Sequence, residues 1–303
     1  MKNIAMDVLS WEKFLNETSK EKSYPPKKID LYNRLVAHTD NFFVIAAIGA
    51  FVPGYLMIIS KKLISSLALI EDYQIDELKW LINKISDAIS YKYNKKIAIF
   101  EHGMCACIGG LDRAHLHIMP MSKEVDNETV VECINLALLR RRAGISSIEL
   151  DDYKFENIHD ITEIMNGVDK NSYKINGKQL TYDDIKNNLD LDNWPISARP
   201  TVLKGGHYVY FKTSSNSSSF LTNHNFQTQL GREIVFEIEK KYNLSIKEMN
   251  EKILEKNSYA NIWKWQEFSF KDNIYITMSD LILPLEKVYN NENKFNFKIS
   301  FKF

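Results

Sequence analysis

Apolar and polar residues alternate in short blocks over the first part of the chain. Apolar runs of strand length occupy residues 41–48, 54–61, 96–103 and 114–122. Residues 67–93 instead place apolar side chains three and four positions apart, which is the spacing of a helix with one buried face. The pattern therefore predicts four strands, with one long helix between the second and the third.

Two helices are predicted before the first strand, at residues 10–22 and 28–39, separated by a double-proline turn. The longest apolar run, residues 42–59, is the one candidate for a membrane span. Pro53 and Gly54 interrupt it, so two buried strands joined by a turn fit better than one spanning helix.

The pattern changes in the second part of the chain. A helix is predicted at residues 128–144, and residues 150–198 are rich in Asp, Asn and Lys, which is typical of a connecting region. A strand at residues 207–213, a polar turn at 214–220 and a helix at 226–242 follow. Both parts thus share a loose order of strands followed by a helix.

Composition and charge describe an ordinary globular chain. The 303 residues carry 39 Lys and Arg against 39 Asp and Glu, so the net charge is zero. A neutral chain argues against a broad nucleic-acid or membrane surface. The 3 cysteines give no disulfide framework, and the N-terminus lacks the apolar core of a secretory signal. These features predict a cytoplasmic protein.

The segment "GGLDRAHLHIMP" carries the most distinctive chemistry. His115 and His117 are two positions apart on a predicted strand, so both side chains point to one face. An unprotonated histidine can attack phosphorus while its neighbour orients the ligand. Gly109 and Gly110 let backbone N–H groups approach phosphate oxygens, and Arg113 adds a fixed positive charge.

Two other interpretations of the histidine pair stay open on these residues alone. With His102, Cys105 and Cys107 nearby, the pair could bind zinc, although Cys-x-Cys is not the usual spacing of a structural zinc site. The pair could also be two packed, hydrogen-bonded core residues without chemistry. The ligand count disfavours zinc, so no metal and no cofactor is predicted.

The motifs between residues 35 and 125, taken in order, resemble the histidine-triad superfamily. The triad segment reads Arg-Ala-His-Leu-His-Ile-Met-Pro at residues 113–120. Upstream, Pro53, Gly54 and Lys61 resemble the strand, turn and strand that precede the triad in the family. The resemblance implies an α+β fold, an antiparallel sheet with flanking helices, followed by a second, smaller α+β half.

The resemblance also implies a division of the chain and roles for its histidines. Residues 1–148 would form the catalytic domain, and residues 149–303 would complete the nucleotide site or pack against it. His115 would be the nucleophile that forms a nucleotidyl-histidine, and His117 would orient the phosphate. Arg113 stands where the family has its first histidine, which leaves control of the His115 tautomer open.

Two more positions depart from the family pattern. Tyr55 stands where another histidine is common, and Ala47 lies near the usual position of an acidic residue that holds the ribose hydroxyls. Phe42, Ile45 and Ile48 are still the candidate lining of a base pocket.

The second half resembles the C-terminal part of longer, two-part members of the superfamily. Gln229, Arg232, Trp263, Trp265 and Asn273 follow the order of a Gln-x-x-Arg helix, a Trp-rich segment and an Asn-Ile strand. Arg232 is predicted to reach a phosphate, with a salt bridge on the helix surface as the alternative.

These features predict a nucleotide phosphohydrolase whose substrate is a nucleotide anhydride, ester or phosphoramidate. His117 favours hydrolysis, because the uridylyltransferase and phosphorylase relatives carry Gln at that position. The alternatives are a nucleotidyltransferase, a dinucleotide phosphorylase, or a nucleotide-binding protein without turnover. The predicted partner is a small-molecule nucleotide, with no nucleic acid or membrane, and a homodimer as a possible assembly.

Overall fold

The structure is a computed structural model. It describes residues 34–103, 113–125, 129, 133, 174–175, 178–179, 193–205, 207–213, 217–222, 229–256, 262–265, 268, 270–291 and 294–300. The helix predicted at residues 10–22 lies outside these ranges, as do Gly109 and Gly110 and most of the two segments predicted at 128–144 and 150–198.

One antiparallel sheet of eight strands organises the described residues. Its strands are β1 Leu35–His38, β2 Phe42–Ala46, β3 Leu56–Ser60, β4 Lys96–Gly103, β5 His115–Met121, β8 His207–Thr213, β9 Ser217–Thr222 and β10 Lys298–Ile299. Their order across the sheet is β10-β1-β2-β3-β5-β4-β8-β9. Two short strands, β6 Lys174–Ile175 and β7 Lys178–Gln179, pair with each other. The strand that carries both histidines, β5, therefore lies inside the sheet between β3 and β4.

Helices cover both faces of this sheet. The described α-helices are α1 Asp72–Tyr93, α2 Arg199–Leu203, α3 Leu230–Tyr242, α4 Leu244–Lys256 and α5 Lys271–Asn291. Apolar residues of α1 and α5 form one core with one face of the sheet, and apolar residues of α3 and α4 form a second core with the other face. The predicted fold class, α+β with an antiparallel sheet and flanking helices, is confirmed.

The long helix begins later than its apolar spacing predicted. Glu71 is the N-cap of α1 and forms a capping box with Gln74, which satisfies backbone N–H groups that would otherwise lack partners. The preceding residues Leu67–Leu69 form a separate 3-10 turn, whose Ala68 N–H is capped by the Ser66 side chain. Apolar spacing continued through this turn and therefore concealed the break.

The strands predicted at residues 41–48 and 54–61 are confirmed as β2 and β3, which pair antiparallel. The long apolar run is thus a strand pair, as the interrupting Pro53 and Gly54 indicated. Across the described part of the chain, no helix has the length and apolar character needed to cross a membrane.

The helix predicted at residues 28–39 is wrong over its final residues. Leu35–His38 form β1, which pairs with β2 on one side and with β10 on the other. Val36 and Ala37 are fully buried. Because the partner β10 lies more than 250 residues away, pairing across the sheet overrides the local helical pattern.

Two predictions in the second half also need correction. The polar turn predicted at residues 214–220 ends sooner, because Ser217–Thr222 pair with β8 through backbone hydrogen bonds that do not require apolar side chains. The strand predicted from Asn273 is the helix α5. Its buried positions, Ile274, Thr277, Leu281 and Leu285, are three or four residues apart.

Strands from both parts of the chain share the one sheet. β8 pairs with β4, and β10 pairs with β1. The division into residues 1–148 and 149–303 stays a prediction, but the later part adds strands and the helix α3 directly to the neighbourhood of the histidine strand.

Candidate active site

The two histidines of β5 lie on the face of the sheet that α3 covers. Met119 belongs to the core on that side, whereas Leu116 and Ile118 belong to the core beneath α1 and α5. The period of two along a strand predicted this division, and it is confirmed. The ring centroids of His115 and His117 are 4.9 Å apart.

His115 is held by the backbone of its own strand. Its Nδ1 lies 2.8 Å from the Arg113 carbonyl oxygen. Because a carbonyl can only accept, Nδ1 carries the hydrogen and the lone pair is on Nε2. Burial lowers the pKa of His115, and the bond to Arg113 acts in the opposite direction. The ring is half-buried and neutral at neutral pH.

His117 is more deeply enclosed than His115. It is 5% exposed and stacks on Phe100, with ring centroids 4.3 Å apart. Its Nδ1 lies 2.7 Å from the Tyr55 hydroxyl. Burial, and then electrostatic interaction with His115, Arg232 and His102, hold the pKa of His117 well below its usual value.

The Tyr55 phenol is the hydrogen-bond partner of His117 Nδ1, and its protonation limits the roles that the pair can take. Tyr55 is fully buried, and burial raises the pKa of its phenol although Arg232 opposes the shift. The phenol therefore keeps its hydrogen, so that it can donate to His117 Nδ1, and its oxygen can also accept from that nitrogen. In the first arrangement the hydrogen of neutral His117 is on Nε2, which makes that atom a donor. The pair thus offers one ring nitrogen that can attack and one that can donate.

The Arg113 side chain stabilises the sheet. It is 5% exposed, and its Nη1 donates to the carbonyl oxygens of Lys61 at 2.5 Å and Ser60 at 3.5 Å. It therefore fastens the end of β3, while the Arg113 backbone orients His115. The Arg113 carbonyl, rather than a side chain, therefore controls the tautomer of His115, which the sequence left open.

Arg232 lies close to the histidines, but its guanidinium group binds backbone carbonyls. Its guanidinium group donates to the carbonyls of Ile48, at 2.8 Å, and Gly49, and its Cζ is 5.4 Å from the Tyr55 ring centroid. The predicted surface salt bridge is wrong, because Arg232 is 3% exposed. Its contacts hold the turn after β2 against α3.

The three predicted pocket residues do not lie together. Phe42 belongs to the core beneath α1, on the face opposite the histidines, so it cannot line a pocket with them. Ile45 pairs with Met57, which pairs with His117, and this row places Ile45 on the histidine face. Ile48 is half-buried in the turn that Arg232 holds.

Two contacts beside the histidines, those of Phe100 and His102 with α3, were not predicted from the sequence pattern. Phe100 pairs with His117 across β4 and β5, and its ring also meets α3 at Gly231. His102 Nε2 accepts a hydrogen bond from the Gly231 N–H at 2.8 Å. Because α3 lies about 130 residues further along the chain, no local sequence pattern could have predicted that these residues are in contact.

Gly49 allows α3 and the turn after β2 to approach closely. Its φ is +70°, and an added Cβ would lie 2.4 Å from Arg232 Nη2 and 2.5 Å from Trp265 Cβ. Gly205 also has a positive φ, +77°, but an added Cβ there meets nothing within 4 Å. Both positions require a positive φ, but only Gly49 has close neighbours. A comparison of the two therefore separates the cost of backbone strain from that of steric overlap.

Gly49→Ala is therefore expected to reduce the free energy of unfolding by about 2 kcal/mol more than Gly205→Ala does. Denaturant unfolding of the two variants beside the wild type measures this difference. Equal losses would show that the turn has room for a methyl group and would contradict the close packing of Arg232.

The described residues include no group of three or more His, Cys, Asp or Glu side chains arranged to hold a metal ion. Cys105 and Cys107, the other candidate ligands, lie outside the described ranges.

Comparison with known proteins shows a distant likeness to a solved structure. No family model and no curated protein matches the chain. A solved structure described as a Hit-like protein involved in cell-cycle regulation from Bartonella henselae, with unknown ligand, is 17% identical with a TM-score of 0.27. The match covers 38% of this chain and 79% of that one. The chemistry of the site therefore rests on its own geometry.

Proposed function

We propose that the protein is a nucleotidyl hydrolase of the histidine-triad type, in which His115 attacks the α-phosphorus of a nucleotide anhydride, ester or phosphoramidate. The observation that carries the proposal is the 2.8 Å contact between His115 Nδ1 and the Arg113 carbonyl. It leaves the Nε2 lone pair as the nucleophile on a neutral, half-buried ring.

The first step would form a bond between His115 Nε2 and phosphorus. The bond from phosphorus to the leaving group breaks, and the leaving group departs with the electron pair and takes a proton from solvent, which the water of the second step replaces. His117 Nε2–H would supply a hydrogen bond to the phosphate or to the leaving group, where negative charge builds up. Tyr55 supports this role when its hydroxyl donates to Nδ1, because the hydrogen of His117 is then on Nε2.

The second step would release the nucleotide. The oxygen of a water molecule bonds to phosphorus, the phosphorus–nitrogen bond breaks and its electron pair returns to Nε2, while the water gives up a proton. A sugar phosphate or inorganic phosphate in place of water would give nucleotidyl transfer or phosphorolysis. The resemblance of the triad segment, with His117 at its third position, favours water.

Trapping of the intermediate tests the proposal. Wild-type protein is mixed with nucleotides that carry ³²P at the α-phosphate and is quenched in alkaline denaturant, because phosphohistidine hydrolyses in acid. We expect label on the wild-type chain and none on His115→Ala, together with a loss of turnover of more than about 10³-fold. The substrate panel is dinucleoside polyphosphates, nucleotide sugars and nucleoside phosphoramidates.

His38→Ala is the matched control for this experiment. His38 is a half-buried histidine on β1, with its ring 6.5 Å from that of Phe43. Its replacement is expected to leave labelling intact. Equal labelling of the wild type and of His115→Ala would rule out His115 as the nucleophile.

A binding protein without turnover is the second candidate. It is favoured by the enclosure of His117 beneath α3 and by the engagement of both nearby arginine side chains with carbonyl oxygens. Tight nucleotide binding across the same panel, with neither label nor product, would support this candidate over the hydrolase.

A further inference from the structure

Two buried arginines, Arg34 and Arg232, border the turn that follows β2. Each residue is 3% exposed. Arg34 Nη1 donates to the Ala46 carbonyl at 2.5 Å, and Arg232 donates to the carbonyls of Ile48 and Gly49. Arg34 is therefore attached to the last residue of β2, and Arg232 to the turn that begins directly after it.

Neither guanidinium group has a negatively charged partner in the described part of the chain. Burial lowers the pKa of Arg34 to about 10, and no carboxylate opposes that shift. Burial also lowers the pKa of Arg232, and the one group that opposes it, Tyr55, is itself kept neutral because burial raises the pKa of its phenol. Both arginines stay protonated at neutral pH, since guanidinium groups hold their proton strongly.

Each arginine also has an unused donor. The Nε–H of Arg34 and that of Arg232 are buried and have no hydrogen-bond partner among the described residues. A buried charge without a counter-ion and a buried donor without an acceptor both oppose folding. An oxyanion would relieve both, because Nε–H and a neighbouring Nη–H form the fork that binds phosphate oxygens.

The turn lies next to the histidine pair. Arg232 Cζ is 5.4 Å from the Tyr55 ring centroid, and the Tyr55 hydroxyl is 2.7 Å from His117 Nδ1. We propose that Arg34, Arg232 and the turn of residues 46–49 form a subsite for a second phosphate group of the nucleotide, distinct from the phosphate that His115 attacks. The identity of the ligand rests on the proposed function, whereas the anion subsite does not require turnover.

Calorimetric titration of the His115→Ala protein tests the subsite without hydrolysis. The probes are adenosine 5′-monophosphate, adenosine 5′-diphosphate, adenosine 3′,5′-bisphosphate, their uridine counterparts and inorganic phosphate alone. We expect at least one nucleotide with a second phosphate to bind about tenfold or more tightly than its monophosphate.

Substitutions of Arg34 assign this preference to the subsite. Arg34→Gln keeps a donor for the Ala46 carbonyl but removes the charge, and it should reduce the preference to less than about threefold. Arg34→Lys keeps the charge without the fork and should preserve part of the preference. Arg34→Gln should also raise the Tm of the ligand-free protein, because it removes a buried charge that lacks a counter-ion.

Three results would overturn the subsite. The first is equal affinity for monophosphates and for every nucleotide with a second phosphate. The second is a lowered ligand-free Tm in Arg34→Gln with the preference intact, which would make Arg34 a structural anchor. The third is inorganic phosphate alone binding as tightly as the nucleotides. A second-phosphate preference without label on His115 would instead retain the subsite and reject the hydrolase.

Discussion

Gly231→Ala is expected to reduce the free energy of unfolding by about 3 kcal/mol and turnover by about 10²-fold. An added Cβ at Gly231 would lie 2.2 Å from Cδ2 of Phe100, whose ring stacks on His117. Either α3 moves away from the sheet, which breaks the bond from the Gly231 N–H to His102, or Phe100 moves toward His117. Both movements disturb the histidine pair.

The sign of this effect separates packing from helix propensity. Alanine is intrinsically better than glycine in a helix by about 0.5–1 kcal/mol, so propensity alone predicts that Gly231→Ala stabilises the protein. Denaturant unfolding gives the sign, and the rate of labelling at His115 gives the effect on the site. A more stable variant with normal labelling would contradict the contact between α3 and Phe100.

A double-mutant cycle with Phe100→Leu provides the control. Leucine removes the ring atoms that the added methyl group would strike, although it also loses the stacking on His117. The combined variant Gly231→Ala, Phe100→Leu is therefore expected to lose about 1 kcal/mol less stability than the sum of the single losses. If the two losses of stability were additive, the methyl group added at Gly231 would not be straining its contact with Phe100.

The stability of the wild type is expected to decline by about 3 kcal/mol relative to Glu101→Gln as the pH rises from 4.5 to about 7. Glu101 lies on β4 next to Phe100 but faces the opposite core. It is 1% exposed, and it accepts hydrogen bonds from the Leu67 N–H at 2.6 Å and from the Tyr208 hydroxyl.

The direction of this pH dependence follows from the raised pKa of Glu101. Burial raises the pKa from 4.5 to about 7, although hydrogen bonds from Tyr208, Leu67 and Ser66 act in the opposite direction. Between these two values the folded protein holds a proton that the unfolded chain releases. The contribution of Glu101 to stability is therefore greatest below pH 4.5, falls as the pH rises to about 7 and changes little above it.

Denaturant unfolding at a series of pH values measures the difference between the wild type and Glu101→Gln, in which the contributions of other groups cancel. Tyr208→Phe is the companion variant: it keeps the buried carboxyl but removes one donor to the carboxylate, so its decline should extend to higher pH. A difference that stays constant from pH 4 to pH 8 would show that Glu101 ionises normally in the folded protein.

The histidine strand shows what the alternation of side chains along a strand predicts and what it excludes. Alternation along residues 114–122 was sufficient to place His115 and His117 on one face, because side chains on a strand repeat every two residues. The same rule excludes a pocket lined by both Phe42 and Ile45. These residues are three apart on β2, so they point to opposite faces.

The elements that were predicted wrongly are those in which the local pattern and the final structure disagree. β1 lies in a segment with a helical pattern but pairs with β2 and with β10, and β9 is polar but pairs with β8. In α5 the alternating start of the segment concealed a helical period that becomes clear only over its full length. In the two strands, hydrogen bonds across the sheet outweighed the local preference, from the distant β10 in the case of β1 and from the neighbouring β8 in the case of β9.

The sequence by itself determined the strand pair β2 and β3 and the shared face of the two histidines, because these depend on local periodicity, and its resemblance to the histidine-triad superfamily implied the α+β class. Only the tertiary structure decided that the Arg113 backbone orients His115, that the Tyr55 hydroxyl pairs with Nδ1 of His117, and that Arg34 and Arg232 bind carbonyl oxygens at the end of β2 and in the turn after it. Apart from the bond within the histidine strand, those contacts join residues 12 to 184 positions apart, a separation that carries no periodic signal. They form only when the strands pair and α3 packs on the sheet.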